Sequence, residues 1–300
     1  MARKTSLPNG LLARRTMIRN TVAALGGVAT LALPQTTDGH MLWLKDTLKG
    51  RLNQSVCRWC YNKIPLEEFA KAVADMGLKG IDLLNNPADW PIVKKYGLIP
   101  TMTSGAGTIA DACNRKDLHD KLEKEFQVNI PRAAQNGLPN VITFSGNRKG
   151  MSDGEGIENT VLLLNRVKGL AEQHNVTICL ELLNSKVDHK DYMADHTAWG
   201  AEVVRRVNSP RVKLLYDIYH MQIMEGDIIR TIRANIQHIA HFHTGGNPGR
   251  NELDETQELN WRTIAVAIAD LGFKGYFAHE FVPKREPLKS LREAVQLCDV

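Results

Sequence analysis

Four apolar runs in the second half of the chain end on polar side chains that can bind a metal ion. These side chains are Glu181 in "CLELLN", Asp217 in "LLYDIYH", His243 in "AHFHTGG" and Glu280 in "FAHEF". A carboxylate in apolar surroundings is costly unless it is paired or bound to a cation. Each residue alone could be a loop residue, a helix cap or a hydrogen-bonded core residue, but the four together favour one shared site. Three carboxylates and one imidazole suit Mg2+ or Mn2+, and zinc fits less well.

Around a divalent cation, these groups could move a hydrogen between neighbouring carbons of a hydroxycarbonyl compound. That reaction removes a proton from carbon, and a cation that bridges both oxygens stabilises the enediolate that results. One carboxylate must take the proton while another group returns it, and Glu181 and Glu280 are the candidates for these roles. Asp217 would then be a metal ligand.

Two further residues are candidates for binding the substrate. His220 follows Asp217 by three residues and could hydrogen-bond a substrate oxygen, or it could serve in capping or packing. Arg250 follows "GGNPG", whose glycines permit a tight loop close to a ligand. An arginine there could hold a carboxylate or a sugar hydroxyl, or it could be a solvated loop residue.

The elements that carry these residues alternate between short apolar runs and longer segments of helical period. We predict strands over 52–61, 80–84, 99–105, 140–146, 177–183, 212–220, 239–246 and 275–281. Eight such units of about 30 residues predict an α/β fold consisting of a single (β/α)8 TIM barrel. Chemistry in this fold gathers at the carboxyl ends of the strands, where the four candidate ligands lie. A doubly wound open sheet is the alternative, but no glycine-rich phosphate loop follows the first strand.

Helix boundaries follow from capping and breaking residues. Segments 65–77, 157–175 and 261–272 read as helices, the first opening on Pro65. Asn260 is a predicted N-cap for the last of them. Asp195 or Thr197 is the predicted N-cap of a helix near residue 200.

The N-terminal region predicts an export leader before the barrel. "LLARRTMIRN" is basic and "TVAALGGVATLALP" is a short apolar run, and the pair Arg14 and Arg15 resembles a twin-arginine signal. We predict a signal peptide over 1–34, a linker over 35–51 and the barrel catalytic domain over 52–300. The expected location is periplasmic or otherwise exported, with membrane contact only through the leader during export. An uncleaved leader that tethers the protein to a membrane is the alternative.

Charge and cysteine content narrow the classes of partner. The formal net charge is +5, and five basic residues before position 35 account for all of it. The remainder lacks the positive excess that phosphate backbones require, so nucleic acid is not an expected partner. Five scattered cysteines do not form a disulfide scaffold. Cys57 and Cys60 are interpreted as two unpaired strand cysteines, and a redox C-x-x-C pair is the alternative.

Several segments resemble a known family. "ELLN", "YDIYHMQIMEGD", "HFHTGGNPGRNE" and "HEF" are similar to the hydroxypyruvate isomerase family of the xylose-isomerase-like barrels, over about residues 52 to 298. The resemblance implies a divalent metal held by the four residues of the first paragraph, with both glutamates moving protons. It also implies that His220 and Arg250 bind substrate oxygens. One departure is His243, since the isomerases commonly have glutamine there and the ketose 3-epimerases have histidine. The segment "LNSKVDHKDY" differs from both branches, so the roles of Asp188 and His189 stay open.

The predicted function is therefore a metal-dependent isomerase of small hydroxy-keto acids or sugars. A ketose 3-epimerase is the alternative within the same chemistry. A metal-dependent abasic-site endonuclease and a non-catalytic exported sugar-binding barrel are alternatives from other classes. The expected partners are a small-molecule substrate, either a hydroxy-keto acid or a ketose, and a second copy of the chain in a homo-oligomer.

Overall fold

The computed structural model describes residues 36–37, 40–41 and 47–300. The chain separates into two compact units, Met1–Trp43 and Leu44–Val300. In the first, strands β1 (Thr36–Thr37) and β2 (His40–Met41) pair antiparallel. The predicted signal peptide, 1–34, lies outside the described residues, as does much of the predicted linker, 35–51. The leader and the exported location therefore stay predictions.

The second unit is built around a nearly closed ring of parallel strands. The strands are β3 (Asn53–Cys57), β4 (Gly80–Asp82), β5 (Ile99–Pro100), β6 (Met102–Ala106), β7 (Asn140–Thr143), β8 (Thr177–Leu182), β9 (Val212–Asp217), β10 (Ile239–Thr244) and β11 (Tyr276–His279). Their order in the sheet is β5-β4-β3-β11-β10-β9-β8-β7-β6. Only Thr101 separates β5 from β6, so these two segments occupy one barrel position. The predicted eight-stranded barrel is confirmed.

Helices follow the strands, as in a (β/α)8 fold. They are α1 (Leu66–Asp75), α2 (Trp90–Lys94), α3 (His119–Gln135), α4 (Asp153–His174), α5 (Thr197–Val207), α6 (Ile218–Met224), α7 (Ile228–Asn235), α8 (Trp261–Asp270) and α9 (Pro287–Leu297). The three predicted helices are present as α1, α4 and α8. Within the described residues, none of the helices is long and apolar enough to cross a membrane.

Two predicted strands are too long, and each gives way to a helical turn. Segment 52–61 leaves the sheet at Cys57, and Arg58–Tyr61 form a 3-10 helix. Segment 212–220 leaves it at Asp217, whose carboxylate accepts hydrogen bonds from the backbone N–H groups of Tyr219 and His220 and caps α6. His220 therefore lies on a helix, and Cys60 is not a strand residue. Both cysteines are free thiols.

The predicted helix caps have mixed outcomes. Asn260 caps α8 by accepting a hydrogen bond from the backbone N–H of Thr263. The prediction for α5 is wrong, because its N-cap position is His196, without a side-chain capping bond. Asp195 is paired with Arg148 instead, at 3.0 Å. Because that ion pair is formed across the fold, local spacing could not reveal it.

The barrel interior is apolar in its lower layer and polar at the carboxyl ends of the strands. Met102, Ile142, Cys179 and Leu215 form a small buried cluster separate from the main core. Side chains two residues apart on a strand share a face, so Glu181 follows Cys179 on the inner face and Asp217 follows Leu215. The apolar cluster therefore supports the level at which the candidate ligands lie.

Candidate active site

The four candidate metal ligands converge at the carboxyl ends of the last four strands. Glu181, Asp217, His243 and Glu280 are all buried, and one potential ligand atom from each lies within 4.8 Å of the other three. Nδ1 of His243 is 2.7 Å from Oε2 of Glu280 and 3.4 Å from Oε1 of Glu181. The parallel strands thus bring together three carboxylates and an imidazole that are far apart in the sequence.

The arrangement fits a hard divalent cation. Nδ1 of His243 makes no hydrogen bond with the described residues, although it points toward the carboxylates. A buried nitrogen without a hydrogen bond, beside three carboxylate groups, is a natural position for a shared positive ion. Three oxygen ligands and one nitrogen match the preference of Mg2+ or Mn2+.

Burial and neighbouring charges give the carboxyl groups different pKa values. Burial raises the pKa of Asp217 to about 7, against the lowering effect of Arg250. Burial also raises the pKa of Glu181, against the lowering effect of the neighbouring His243. For Glu280, burial is outweighed by the positive charges of Arg250 and His243, which hold its pKa below the ordinary value. The two glutamates thus differ in proton affinity.

Arg250 lies inside the site and is mostly buried. Its Nη2 donates to Oδ2 of Asp217 at 2.8 Å and to Oε2 of Glu280 at 2.5 Å. Its guanidinium carbon is 5.1 Å from the ring centroid of Tyr219 and 5.8 Å from that of Trp59. The interpretation of Arg250 as a solvated loop residue is therefore wrong.

The loop between β10 and α8 can reach the site because glycine permits a close backbone approach. A Cβ atom on Gly246 would lie 2.1 Å from the carbonyl oxygen of Glu252. The carboxylate of Glu252 accepts hydrogen bonds at 2.9 Å from the backbone N–H groups of Lys284 and Arg285 and from the hydroxyl of Ser290. These bonds tie the loop that carries Arg250 to the segment that follows Glu280.

His220 is buried between two nitrogen donors. Nε2 of its ring is 2.7 Å from Nη1 of Arg250, and Nδ1 is 2.6 Å from the amide nitrogen of Asn184. Asn184 cannot turn its amide without loss, because its oxygen accepts the backbone N–H groups of Val187 and Asp188. A neutral imidazole accepts at only one nitrogen, so one of the two contacts lacks an acceptor. Burial lowers the pKa of His220, and the charge of Arg250 lowers it further.

Aromatic residues form the wall of the site next to Glu280. Trp59 is 42% exposed, and its Nε1 donates to Oε1 of Glu280 at 2.5 Å. Tyr61, two residues further along the chain, is buried and stacks on Phe69 at a centroid distance of 5.0 Å. Trp59 therefore belongs to the site and Tyr61 to the core.

The segment after β8 contributes residues whose roles the sequence left open. Asp188 accepts hydrogen bonds from the hydroxyl of Tyr219 at 2.9 Å and from the amide of Asn184 at 2.7 Å. The ring of His189 is 5.3 Å from that of His220. His189 therefore lies next to the ring of His220, and Asp188 is linked to His220 through their shared partner Asn184.

Sequence reasoning missed Asp82, which lies behind His243. Its Oδ2 is 2.8 Å from Nε2 of His243, and the residue is completely buried on β4. The available signal was a carboxylate in the apolar run "GIDLL". It is the same signal that identified Asp217, but it was applied only to the last four strands.

A parallel barrel with such a cluster at its carboxyl end defines a TIM barrel with a candidate metal centre. Residues 48–299 match the family model described as the xylose isomerase-like TIM barrel. The chain belongs to this family, and the resemblance drawn from its motifs is confirmed.

Relatives with named activities are isomerases and epimerases. A human protein named as a hydroxypyruvate isomerase is 26% identical over 238 residues, covering 78% of this chain and 80% of that protein. A D-psicose 3-epimerase from Ruminiclostridium cellulolyticum is 32% identical over 122 residues, covering 39% of each chain. These names are consistent with the predicted enzyme class.

The fold also matches solved structures. An AP endonuclease of family 2 from Brucella melitensis superposes with a TM-score of 0.72 at 21% identity, covering 80% of this chain and 97% of that one. At this identity the likeness concerns the fold alone.

Proposed function

We propose that the protein is a metal-dependent isomerase of small hydroxy-keto acids or sugars, of the hydroxypyruvate isomerase type. The observation that carries this proposal is the convergence of Glu181 and Glu280 with Asp217 and His243 at one buried point. Two carboxylates beside one candidate cation site are what proton transfer between neighbouring carbons requires.

The four converging residues would hold the cation. When bound, a divalent ion there supplies stabilisation of negative charge on two adjacent substrate oxygens. The lone pair of His243 Nδ1 and the carboxylate oxygens provide a donor set of the appropriate kind.

The two glutamates would exchange the proton. Glu280 is fixed by two donors, Trp59 at Oε1 and Arg250 at Oε2. Glu181 faces the same point from β8. With the two reacting carbons of a substrate between the glutamates, one glutamate would remove a proton from the first carbon and the other would deliver a proton to the second. This requires a free lone pair on each glutamate, and Oε1 of Glu280 keeps one beside the hydrogen bond that it accepts from Trp59.

His220 and Arg250 would bind substrate oxygens. In the free site, Nη1 of Arg250 lies 2.7 Å from Nε2 of His220. Both ring nitrogens of His220 face N–H donors, although the protonated one needs an acceptor. A carbonyl or hydroxyl oxygen inserted between the two residues would accept from Arg250 and leave the ring free to donate. Substrate binding would thus relieve a mismatch that the free site contains.

A ketose 3-epimerase is the second candidate, and His243 favours it. The isomerases that this chain resembles commonly have glutamine at this position, whereas the ketose 3-epimerases have histidine. A D-psicose 3-epimerase is among the relatives. Both reactions begin with removal of a proton from carbon, but an isomerase delivers a proton to the neighbouring carbon and an epimerase returns it to the same carbon from the other face. A non-catalytic sugar-binding role is the candidate from another class.

A deuterium-exchange screen separates these candidates. The Mn2+- or Mg2+-loaded protein is incubated in deuterated water with hydroxypyruvate, tetroses and ketohexoses, and each product is analysed by mass spectrometry and NMR. Deuterium introduced with aldose–ketose interconversion supports isomerase activity, and deuterium at C3 supports epimerase activity. If the protein binds the compounds without any deuterium uptake, the catalytic proposal is wrong and the binding role gains support.

A further inference from the structure

Asp82 lies beside Nε2 of His243, at the edge of the ring that is turned away from the three site carboxylates. Its Oδ2 is 2.8 Å from Nε2 of His243, and its Oδ1 accepts a hydrogen bond from the hydroxyl of Thr101 at 2.5 Å. All three side chains are completely buried. The carboxylate is therefore fixed on one side by Thr101 and presents its other oxygen to the imidazole.

To bind a cation the imidazole of His243 must be neutral, and two carboxylates then compete for the hydrogen bond from its single ring N–H. Oε2 of Glu280 is 2.7 Å from Nδ1, and Oδ2 of Asp82 is 2.8 Å from Nε2. A proton on Nδ1 would satisfy Glu280 but would remove the lone pair that a cation needs. A proton on Nε2 leaves that lone pair directed at the carboxylate cluster. The tautomer of His243, and with it the ability of Nδ1 to ligate, depends on which carboxylate accepts the hydrogen bond from the ring N–H.

We propose that Asp82 is a positioning residue that keeps the proton of His243 on Nε2 and leaves Nδ1 for the cation. A carboxylate behind a ligating histidine also fixes the orientation of the ring and raises its basicity. Thr101 holds Asp82 in the orientation that this requires. The inference rests on the metal site of the proposed function, but it does not depend on which substrate is used.

The surroundings of Asp82 offer a competing interpretation. Nε2 of His241 is 3.2 Å from Oδ2 of Asp82, and Sγ of Cys57 is 3.6 Å from the same oxygen. Both ring nitrogens of His241 lack hydrogen-bond partners in the described part of the chain. A second ion bound by these groups would need Nε2 of His243 to be free of its proton. The 2.8 Å contact favours a hydrogen bond instead, since ligand atoms around a tetrahedral zinc ion lie about 3.3 Å apart.

The test measures Mn2+ binding by electron paramagnetic resonance on the full chain and on variants. Asp82→Asn is expected to weaken Mn2+ binding by roughly 10- to 100-fold, as for other partners of ligating histidines. Thr101→Val preserves the side-chain volume at position 101 and leaves Asp82 charged, but it removes the hydroxyl that donates to Asp82. It is expected to weaken Mn2+ binding by a smaller factor. Should Asp82→Asn fail to fold, Thr101→Val decides the question.

Two controls separate positioning from general damage to the fold. Thr103→Val makes the same replacement two residues along the chain, and Asp195→Asn removes another buried carboxylate, one that pairs with Arg148. Both are expected to leave Mn2+ affinity unchanged. Nitrogen-15 NMR of the Mg2+-loaded protein, with His243 assigned through His243→Gln, should show a proton on Nε2 in the unsubstituted protein and its loss or relocation in Asp82→Asn.

Several outcomes would overturn the inference. One is Mn2+ affinity within twofold of the unsubstituted protein in both Asp82→Asn and Thr101→Val. Another is an unprotonated Nε2 in the loaded protein, or two bound Mn2+ per chain with one lost in Asp82→Asn. A chain that binds no Mn2+ overturns this inference together with the proposed metal site. Tight Mn2+ binding without incorporation of solvent deuterium into any of the tested substrates refutes only the proposed reaction.

Discussion

Arg250 donates a hydrogen bond from Nη2 to Oδ2 of Asp217 at 2.8 Å, which joins a proposed substrate contact directly to a proposed metal ligand. The same nitrogen also contacts Glu280. A permanently charged guanidinium and a divalent cation therefore compete for the same carboxylate oxygens. Substrate oxygens that attract Arg250 would reduce this competition.

Replacing Arg250 should have opposite effects on the metal and on the substrate. In Arg250→Met we expect Mn2+ to bind more tightly, because a competing positive charge is removed. We expect KM to rise roughly 10- to 100-fold, corresponding to about 1.5–3 kcal/mol for a lost charge-assisted hydrogen bond. Steady-state kinetics and Mn2+ titration measure the two effects. Arg206→Met, which removes a surface partner of Glu158, is the control and should change neither.

The two proton-transfer roles predict that neither glutamate can be replaced by its amide. Glu181→Gln and Glu280→Gln are each expected to lower kcat by about 10^2- to 10^4-fold, the usual contribution of a general acid or base. Circular dichroism and thermal unfolding should show that the fold is retained. Glu67→Gln, at an exposed site on α1, should behave as the unsubstituted enzyme. Near-normal turnover in either variant would rule out the two-carboxylate mechanism.

The contribution of Asp217 to the stability of the metal-free protein should fall as the pH rises toward neutrality. Burial raises the pKa of Asp217 from the ordinary 3.8 to about 7. Relative to the unfolded chain, this group stabilises the fold fully below about pH 4, and the contribution is lost as the pH rises through 7. The unfolding temperature in EDTA should therefore fall from pH 5 to pH 8 relative to that of Asp217→Asn, a comparison that cancels the opposite contribution of buried histidines such as His220, whose pKa is lowered. Equal pH profiles for the two proteins would contradict this assignment.

Metal removal should lower both activity and stability. EDTA is expected to abolish turnover, and Mg2+ or Mn2+ should restore it. At 100 times its Kd the ion would stabilise the folded state by about 2.7 kcal/mol, measured as a rise in the unfolding temperature. Glu280→Ala should lose most of this rise. A metal-induced stabilisation that persists in Glu280→Ala would place the ion elsewhere.

The carboxylate of Glu252 should be important for the loop that carries Arg250. Glu252→Ala leaves two backbone N–H groups and a hydroxyl without their acceptor, and we expect it to lower the free energy of unfolding by about 2 kcal/mol or more. KM should rise because Arg250 is held less firmly. Ser290→Ala removes one of the three bonds and should cost about 1 kcal/mol. Unchanged KM in Glu252→Ala would show that other contacts fix the loop.

The fold and the convergence of the four ligands could be predicted because both follow from local pattern and topology. Apolar runs at regular spacing predict parallel strands, and the carboxyl ends of parallel strands meet at one face of the barrel. Glu181 and Glu280 could thus be placed together although they are almost a hundred positions apart.

The remaining contacts depend on side-chain geometry across the fold. The amide of Asn184 is oriented by backbone N–H groups of its own turn, and Asp195 is held by an ion pair with Arg148. The strand β9 ends earlier than predicted. Ile218 and Tyr219 resume an apolar pattern after Asp217, whereas the carboxylate of Asp217 accepts hydrogen bonds from the next backbone N–H groups and starts a helix. Propensity alone does not reveal such a capture.

The cap at the start of α6 has a consequence for how substrate preference can change. Oδ1 of Asp217 is engaged by the backbone of the helix that carries His220, and Oδ2 faces the cation site. The carboxyl group of Asp217 thereby sets the spacing between the cation site and the ring of His220. The rotamer of Asp217 is fixed before the cation or the substrate binds. New substrates should therefore be accommodated by exchanging residues in the segment after β8, around Asp188 and His189, while the spacing imposed by Asp217 is inherited unchanged.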